Sequence, residues 1–100
     1  MRVLFTPSGR SQFLAAIASM RRDNLEAAVA FRNRAEKTLQ RLKQSPESGS
    51  VLPECPDLPF REVIEPPCRF LYRIKEKALW IVAVRHEAPL PETPPEDEIA

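Results

Sequence analysis

The sequence lacks the features that define several large classes of protein. Its 100 residues include two cysteines, Cys55 and Cys68, and one histidine. No apolar run approaches the roughly 18 residues that a membrane span needs, and the short apolar run in residues 1–10 is followed by no signal-peptide cleavage site. No CxxC spacing or histidine-rich tract indicates a metal site. We therefore expect a cytoplasmic protein with reduced thiols, no metal, no cofactor and no membrane contact.

Basic residues are also absent from the end of the chain, and this absence divides the sequence in two. Residues 1–86 contain all 15 Lys and Arg but only 9 of the 14 acidic residues, which leaves a net charge of +6. The other five acids lie among four prolines in residues 87–100. This composition predicts a basic domain over residues 1–87, suited to an acidic or polyanionic partner, and a mostly disordered acidic tail over residues 88–100. We consider three roles for the tail: folding back on the basic domain, steering a partner, or solubilising the chain.

Apolar periodicity predicts two helices in the first half of the chain. Thr6-Pro7 is typical of a helix start, and the helix that follows is expected to end near Arg22. Asp23 and Asn24 indicate a break and a new helix cap, with Asp23 as the first residue of a capping box. The second helix is predicted from about residue 25 to residue 43, with an apolar stripe formed by Ala28, Phe31, Ala35, Leu39 and Leu42. The short connection predicts an antiparallel helical hairpin.

Strand patterns lie on both sides of these helices. A short apolar strand is predicted at residues 2–5, and three strands are predicted at 60–65, 68–74 and 78–85, after a proline-rich loop at 44–59. The last strand is apolar nearly throughout, which is typical of a strand buried on both faces. The order β-α-α-β-β-β predicts a single α+β domain, with the helical hairpin packed on a mainly antiparallel sheet.

The predicted hairpin at residues 67–86 has an apolar and a cationic face. Because side chains alternate across a strand, Phe70 and Tyr72 face one way, whereas Arg69 and Arg73 face the other. A core explains the apolar face, and we expect Tyr72 and Trp80 to belong to that core. The cationic face indicates a partner. Arg69 is also expected to be able to pair with an acid of the neighbouring strand, either Glu62 or Glu65.

Six short segments, in order, resemble the RelE/ParE superfamily of bacterial toxins from type II toxin–antitoxin operons. The segments are VLFTP, DNLEAA, LQRLKQSPESG, FREV, CRFLYRI and IVAVRH. Leu25 replaces the family's usual proline, and Cys68 replaces its usual tyrosine. The resemblance covers about residues 2–87 and implies the RelE/ParE fold. It also implies a cognate antitoxin that lays an amphipathic segment over the helices and the sheet edge, in a toxin–antitoxin hetero-oligomer.

The resemblance leaves two activities open. RelE-type members cleave messenger RNA on the ribosome. If the chain were a metal-independent endoribonuclease of this type, its catalytic candidates would be Arg69, Arg73, Arg85 and His86. However, no tyrosine follows the last strand, and Glu87-Ala88-Pro89 stands where RelE-type enzymes place a catalytic arginine and tyrosine.

ParE-type members bind DNA gyrase and need no nuclease centre, and the DNLEAA and VRH segments favour that branch. We therefore expect a ParE-like binding toxin rather than an enzyme. Its expected partner-contacting residues are Arg61, Arg69, Arg73, Arg85 and His86. The alternatives are the nuclease and a degenerate toxin that only binds its antitoxin.

Overall fold

A computed structural model describes residues 1–86, in which two helices pack on one face of a five-stranded sheet. The elements are β1 (Arg2–Phe5), α1 (Pro7–Asp23), α2 (Leu25–Gln44), β2 (Ser50–Val51), β3 (Phe60–Glu65), β4 (Cys68–Lys75) and β5 (Ala78–His86). The predicted α+β architecture is confirmed. The predicted tail, residues 88–100, lies outside the described residues. Within residues 1–86, no helix has the length and apolarity needed to cross a bilayer.

The strand order in the sheet is β1-β5-β4-β3-β2. β1 pairs in parallel with β5, and the other neighbours are antiparallel. β2 was not predicted from the sequence, which indicated a loop over residues 44–59. It contributes only Ser50 and Val51 at the sheet edge, and two residues are too few to show a strand periodicity.

Side-chain caps fix the ends of the helices. The Thr6 hydroxyl accepts a hydrogen bond from the Gly9 N–H at 3.0 Å, and Pro7 occupies the first helical position. Asn24 both ends α1 and begins α2. Its N–H donates to the Met20 carbonyl at 2.8 Å, while its side-chain oxygen accepts from the Ala27 N–H at 3.1 Å. The predicted break and new cap at Asp23-Asn24 is confirmed at Asn24, whereas the capping box beginning at Asp23 was wrong, because Asp23 still lies in the last turn of α1.

The core lies between the helical hairpin and the sheet. Phe31 and Leu42 of α2, and Phe70 and Tyr72 of β4, are almost fully buried. The Phe31 and Phe70 rings stack with centroids 6.5 Å apart. The predicted apolar stripe of α2 and the apolar face of the hairpin are confirmed, because these side chains form one hydrophobic cluster.

The β4–β5 hairpin turns on Glu76 and Lys77, with φ of 54° and 63°. Two consecutive left-handed residues are the signature of a type I′ turn, which tight hairpins favour because its twist matches that of the strands. Farther along, Leu71 pairs with Ala83 and Tyr72 with Ile81, so Val82 is an extra residue in β5 and forms a bulge.

The N-terminus of α1 packs against this bulge. The Thr6 N–H donates to the Ile81 carbonyl at 3.0 Å, and a Cβ on Gly9 would lie 2.3 Å from the same oxygen. β1 pairs with β5 only as far as Ile81. Beyond that point, the Val84 N–H donates to the side-chain oxygen of Gln12 at 2.7 Å.

The sheet face opposite the helices carries both apolar and charged side chains, and no second helix or sheet layer of residues 1–86 covers it. Trp80, Val82 and Ala83 are only half-buried, so the prediction that the last strand is buried on both faces was wrong. Trp80 lies directly opposite Arg73, away from the core cluster, so its predicted core position was also wrong. An apolar run alone does not distinguish a strand between two layers from a central strand with one open face.

Candidate partner-binding face

The strand register defines which side chains share the sheet face opposite the helices. Residues paired directly across neighbouring strands lie on the same face. Arg69 pairs with Ile64 on one side and Arg85 on the other, while Arg73 pairs with Phe60 and Trp80. We call this surface the open face; its members in the three central strands include Phe60, Glu62, Ile64, Arg69, Leu71, Arg73, Trp80 and Arg85.

The structure divides the predicted site residues between the two sheet faces. Arg69, Arg73 and Arg85 lie on the open face, whereas Arg61 and His86 pair with the buried Tyr72 and Cys68 and so belong to the opposite face. The separation follows from the alternation of strand side chains, since positions 85 and 86 point to opposite sides.

Of these two residues, Arg61 has a clear structural function. Its guanidinium donates to the carbonyls of Glu47 at 3.2 Å and Gly49 at 2.8 Å, which holds the loop that follows α2. His86 is exposed at the end of β5. The predicted set of five therefore does not form one cluster.

Arg69 is bound by two carboxylates. Its Nε donates to Glu62 Oε2 at 3.0 Å, its Nη2 also contacts that carboxylate, and Nη2 lies 3.5 Å from Glu54 of the preceding loop. A backbone hydrogen bond, together with the charges of Arg69 and Arg85, lowers the pKa of the exposed Glu54 carboxyl. Of the two acids proposed as partners of Arg69, Glu62 is the one that pairs. Glu65 lies on the helix side and accepts from the Thr38 hydroxyl at 2.8 Å.

Arg73 has a different environment. Its guanidinium carbon lies 5.4 Å from the centre of the Phe60 ring, a cation–π distance. Its Nε is buried and has no hydrogen-bond partner among residues 1–86. Phe60 and Trp80 were not among the predicted site residues. They lie opposite Arg73 on the two neighbouring strands, and this pairing is set by strand register, which alternation along a single strand does not give.

The loop between α2 and β2 is anchored by Tyr72. The Tyr72 hydroxyl donates to the Pro46 carbonyl at 2.8 Å and accepts from the Gly49 N–H at 2.9 Å. Burial raises the pKa of this phenol. A Cβ on Gly49 would lie 2.3 Å from the phenolic oxygen, so glycine is required for this close approach. Leu52, which is buried, fixes the next part of the loop.

Three exposed apolar side chains also lie on the helices. Leu14, Leu25 and Val29 have exposed fractions of 54%, 59% and 52%. Leu25 also lines a shallow groove with Ala18, Arg21 and Arg22, where α1 meets α2. We call Leu14, Leu25 and Val29 the helical apolar surface. Its members lie on the helices outside the core cluster.

Comparisons with known proteins agree with this architecture. No curated protein matches the sequence significantly. The chain is similar in fold to a solved structure described as a chromosomal ParDE toxin–antitoxin system from P. aeruginosa. The TM-score is 0.66 and the identity 18%, with 86% of this chain and 95% of the other covered. A family model described as the ParE toxin of the type II toxin–antitoxin system parDE matches residues 3–90. The chain therefore belongs to the ParE toxin family.

Proposed function

We propose that this ParE-family chain acts by binding a cytoplasmic target, DNA gyrase, and that a cognate antitoxin neutralises it. The observation that carries the proposal is the double ion pair of Arg69 with Glu62 and Glu54. A nuclease needs free cations to stabilise the charge that develops on phosphate. A guanidinium engaged by two carboxylates is poorly suited to that role and well suited to ordering a binding surface.

The position of His86 supports the same proposal. His86 is the one histidine of the chain and the obvious general acid or base among the candidates. It points to the sheet face opposite Arg69 and Arg85. Acid–base catalysis requires the proton-transferring group within hydrogen-bond reach of the reacting atoms, and this arrangement separates it from the cations.

The helical apolar surface supports antitoxin binding. Exposed leucine and valine side chains on adjacent helices are the anchors that an amphipathic partner helix uses when it docks in a groove. The resemblance to RelE/ParE toxins implies an antitoxin segment with that character. We therefore place the antitoxin on the helical apolar surface, where it leaves much of the open face uncovered.

Two assays with the purified chain and one expression experiment in cells test the target. In a gyrase supercoiling assay, we expect the chain to inhibit supercoiling, and expression in cells is expected to arrest growth with an SOS response. In a translation reaction, we expect intact messenger RNA. Codon-phased cuts that disappear in Arg69→Ala would contradict the binding mechanism and support a ribosome-dependent nuclease instead. Absence of growth arrest would leave only antitoxin binding as a function.

A further inference from the structure

The open face combines an apolar centre with an arginine whose Nε has no hydrogen-bond acceptor within residues 1–86. Ile64 is 59% exposed, and Leu71 and Trp80 are half-buried. Beside Trp80, the buried Nε of Arg73 has no acceptor within residues 1–86. Buried polar atoms are normally hydrogen-bonded, and the contact of the guanidinium with the Phe60 ring does not supply the acceptor that this Nε lacks. This surface therefore fits a partner that supplies both a carboxylate and apolar side chains.

Residues 87–100 of the chain have that chemistry. They contain five carboxylates and no basic residue, and their net charge of −5 complements the +6 of residues 1–86. We call them the acidic segment. It also contains Leu90 and Ile99 as apolar residues.

The acidic segment also begins beside the open face and is long enough to reach Arg73. It starts directly after His86, next to Arg85 at one end of the open face. Arg73 pairs with Trp80, four residues along β4 from the Arg69–Arg85 pair, which is about 13 Å at the usual rise of a strand. Fourteen residues reach about 45 Å when extended, so the acidic segment is long enough to turn back and cover this distance.

We propose that the acidic segment binds the open face of its own molecule, with carboxylates on Arg85 and Arg73 and apolar contact with Trp80. Arg69 already has Glu62 and Glu54, so Arg73 is the cation that gains most from a new acceptor. The proposal is independent of the gyrase assignment, because it concerns contacts within one chain. It makes the acidic segment a competitor that any partner of the open face must displace.

Trp80 is the only tryptophan of the chain, so its fluorescence reports on the open face. The test compares acrylamide quenching of the full chain with that of a full-length variant in which Glu87, Glu92, Glu96 and Glu98 become Gln and Asp97 becomes Asn. We expect the variant to be quenched about twofold more strongly. In 1 M salt the Debye length falls to about 3 Å, so the natural chain is expected to reach the same quenching as the variant.

Two controls locate the contact. A variant with Asp23→Asn, Glu26→Gln and Glu36→Gln, all exposed on the helices, is expected to keep the natural quenching. Arg73→Gln is expected to raise quenching in the natural chain and to cause no further rise in the five-amide variant.

Equal quenching of the natural chain and the five-amide variant would overturn the proposal. Additive effects of the two changes would overturn the placement on Arg73, and protection that grows with protein concentration would assign the contact to a second molecule.

Discussion

The Nε of Arg69 lies 3.0 Å from Oε2 of Glu62, so the cation of β4 is held by an acid of the adjacent strand β3. Glu62 is only 8% exposed. Removal of Arg69 therefore leaves a nearly buried carboxylate without its main partner, which is more costly than removing both groups. The pair is better described as a unit of the sheet than as two separate surface charges.

Arg69→Met is expected to lower the free energy of unfolding by about 2–3 kcal/mol, because it leaves the Glu62 carboxylate unpaired. The double variant Arg69→Met/Glu62→Leu is expected to recover most of that loss. Arg85→Met is the matched control. It removes the exposed cation directly opposite Arg69 and should change stability by less than about 0.5 kcal/mol. Urea unfolding measures all three, and an Arg69→Met effect no larger than that of Arg85→Met would refute a structural ion pair.

The helical apolar surface yields a binding prediction. Leu25→Asp is expected to weaken antitoxin binding by at least about 2 kcal/mol, roughly 30-fold in Kd, because it places a charge where an apolar partner side chain is expected. Isothermal titration with the cognate antitoxin measures this effect. Ile64→Asp is the control, since Ile64 has the same exposed fraction of 59% but lies on the open face. Equal losses in the two variants would contradict the placement of the antitoxin on the helices.

Tyr72 and Gly49 test the anchor of the loop. Tyr72→Phe removes the hydroxyl that bridges the Pro46 carbonyl and the Gly49 N–H, and we expect a loss of about 1–3 kcal/mol in the free energy of unfolding. Gly49→Ala is expected to destabilise the chain as well, because its Cβ meets the phenolic oxygen at 2.3 Å. In the Tyr72→Phe background that clash is relieved in part, so the two effects should be less than additive. Ser48→Ala, in the same loop but exposed, is expected to have little effect.

The two thiols are expected to differ in reactivity. Cys55 is exposed, whereas Cys68 is fully buried and burial raises its pKa from 9.0 to about 11. Only the thiolate attacks a disulfide reagent. We expect one thiol to react rapidly in the native chain and the second only at the rate of unfolding. Cys55→Ser removes the rapid phase, and a rapid phase that persists in Cys55→Ser would contradict the burial of Cys68.

The same pKa shift predicts a loss of stability in alkali. Below pH 9 the Cys68 thiol is protonated in the folded and the unfolded chain, and its contribution is complete. As the pH rises from 9 to 11, the unfolded chain loses this proton first, so the free energy of unfolding falls, by up to about 1.4 kcal/mol per pKa unit of the shift. Cys68→Ala is expected to reduce this slope in urea unfolding, and Cys55→Ser to retain it.

Much of the fold follows from local sequence signals. The caps and the apolar periodicity of α1 and α2 predicted both helices to within about a residue at each end. The hairpin of β4 and β5 was also predicted, because the alternation of side chains separated Phe70 and Tyr72 from Arg69 and Arg73. These features depend on neighbours in the sequence, which explains why periodicity alone found them.

The missed features depend on tertiary contacts. The Glu76-Lys77 turn lacks the Asn-Gly or Asp-Gly pair that marks a type I′ turn, so its left-handed backbone had no sequence signal. The two-residue β2 exists only because β3 pairs with it. Alternation placed Arg69 and Arg73 on one face of the sheet, and the structure shows both there with Arg85, while their role in partner binding stays a prediction. The contact of Glu54 with Arg69 depends on a loop fold that no periodicity encodes.

The contact between Gln12 and Val84 bears on the self-association of the chain at high concentration. β5 extends past β1, and a strand edge with free N–H groups is a template for pairing with another chain. In this protein the Gln12 side chain occupies the Val84 N–H, and the start of α1 stands where an intruding strand would lie. Gln12→Ala is therefore expected to increase self-association measured by light scattering while leaving the secondary structure unchanged. We therefore expect the first helix to protect this sheet edge against aggregation.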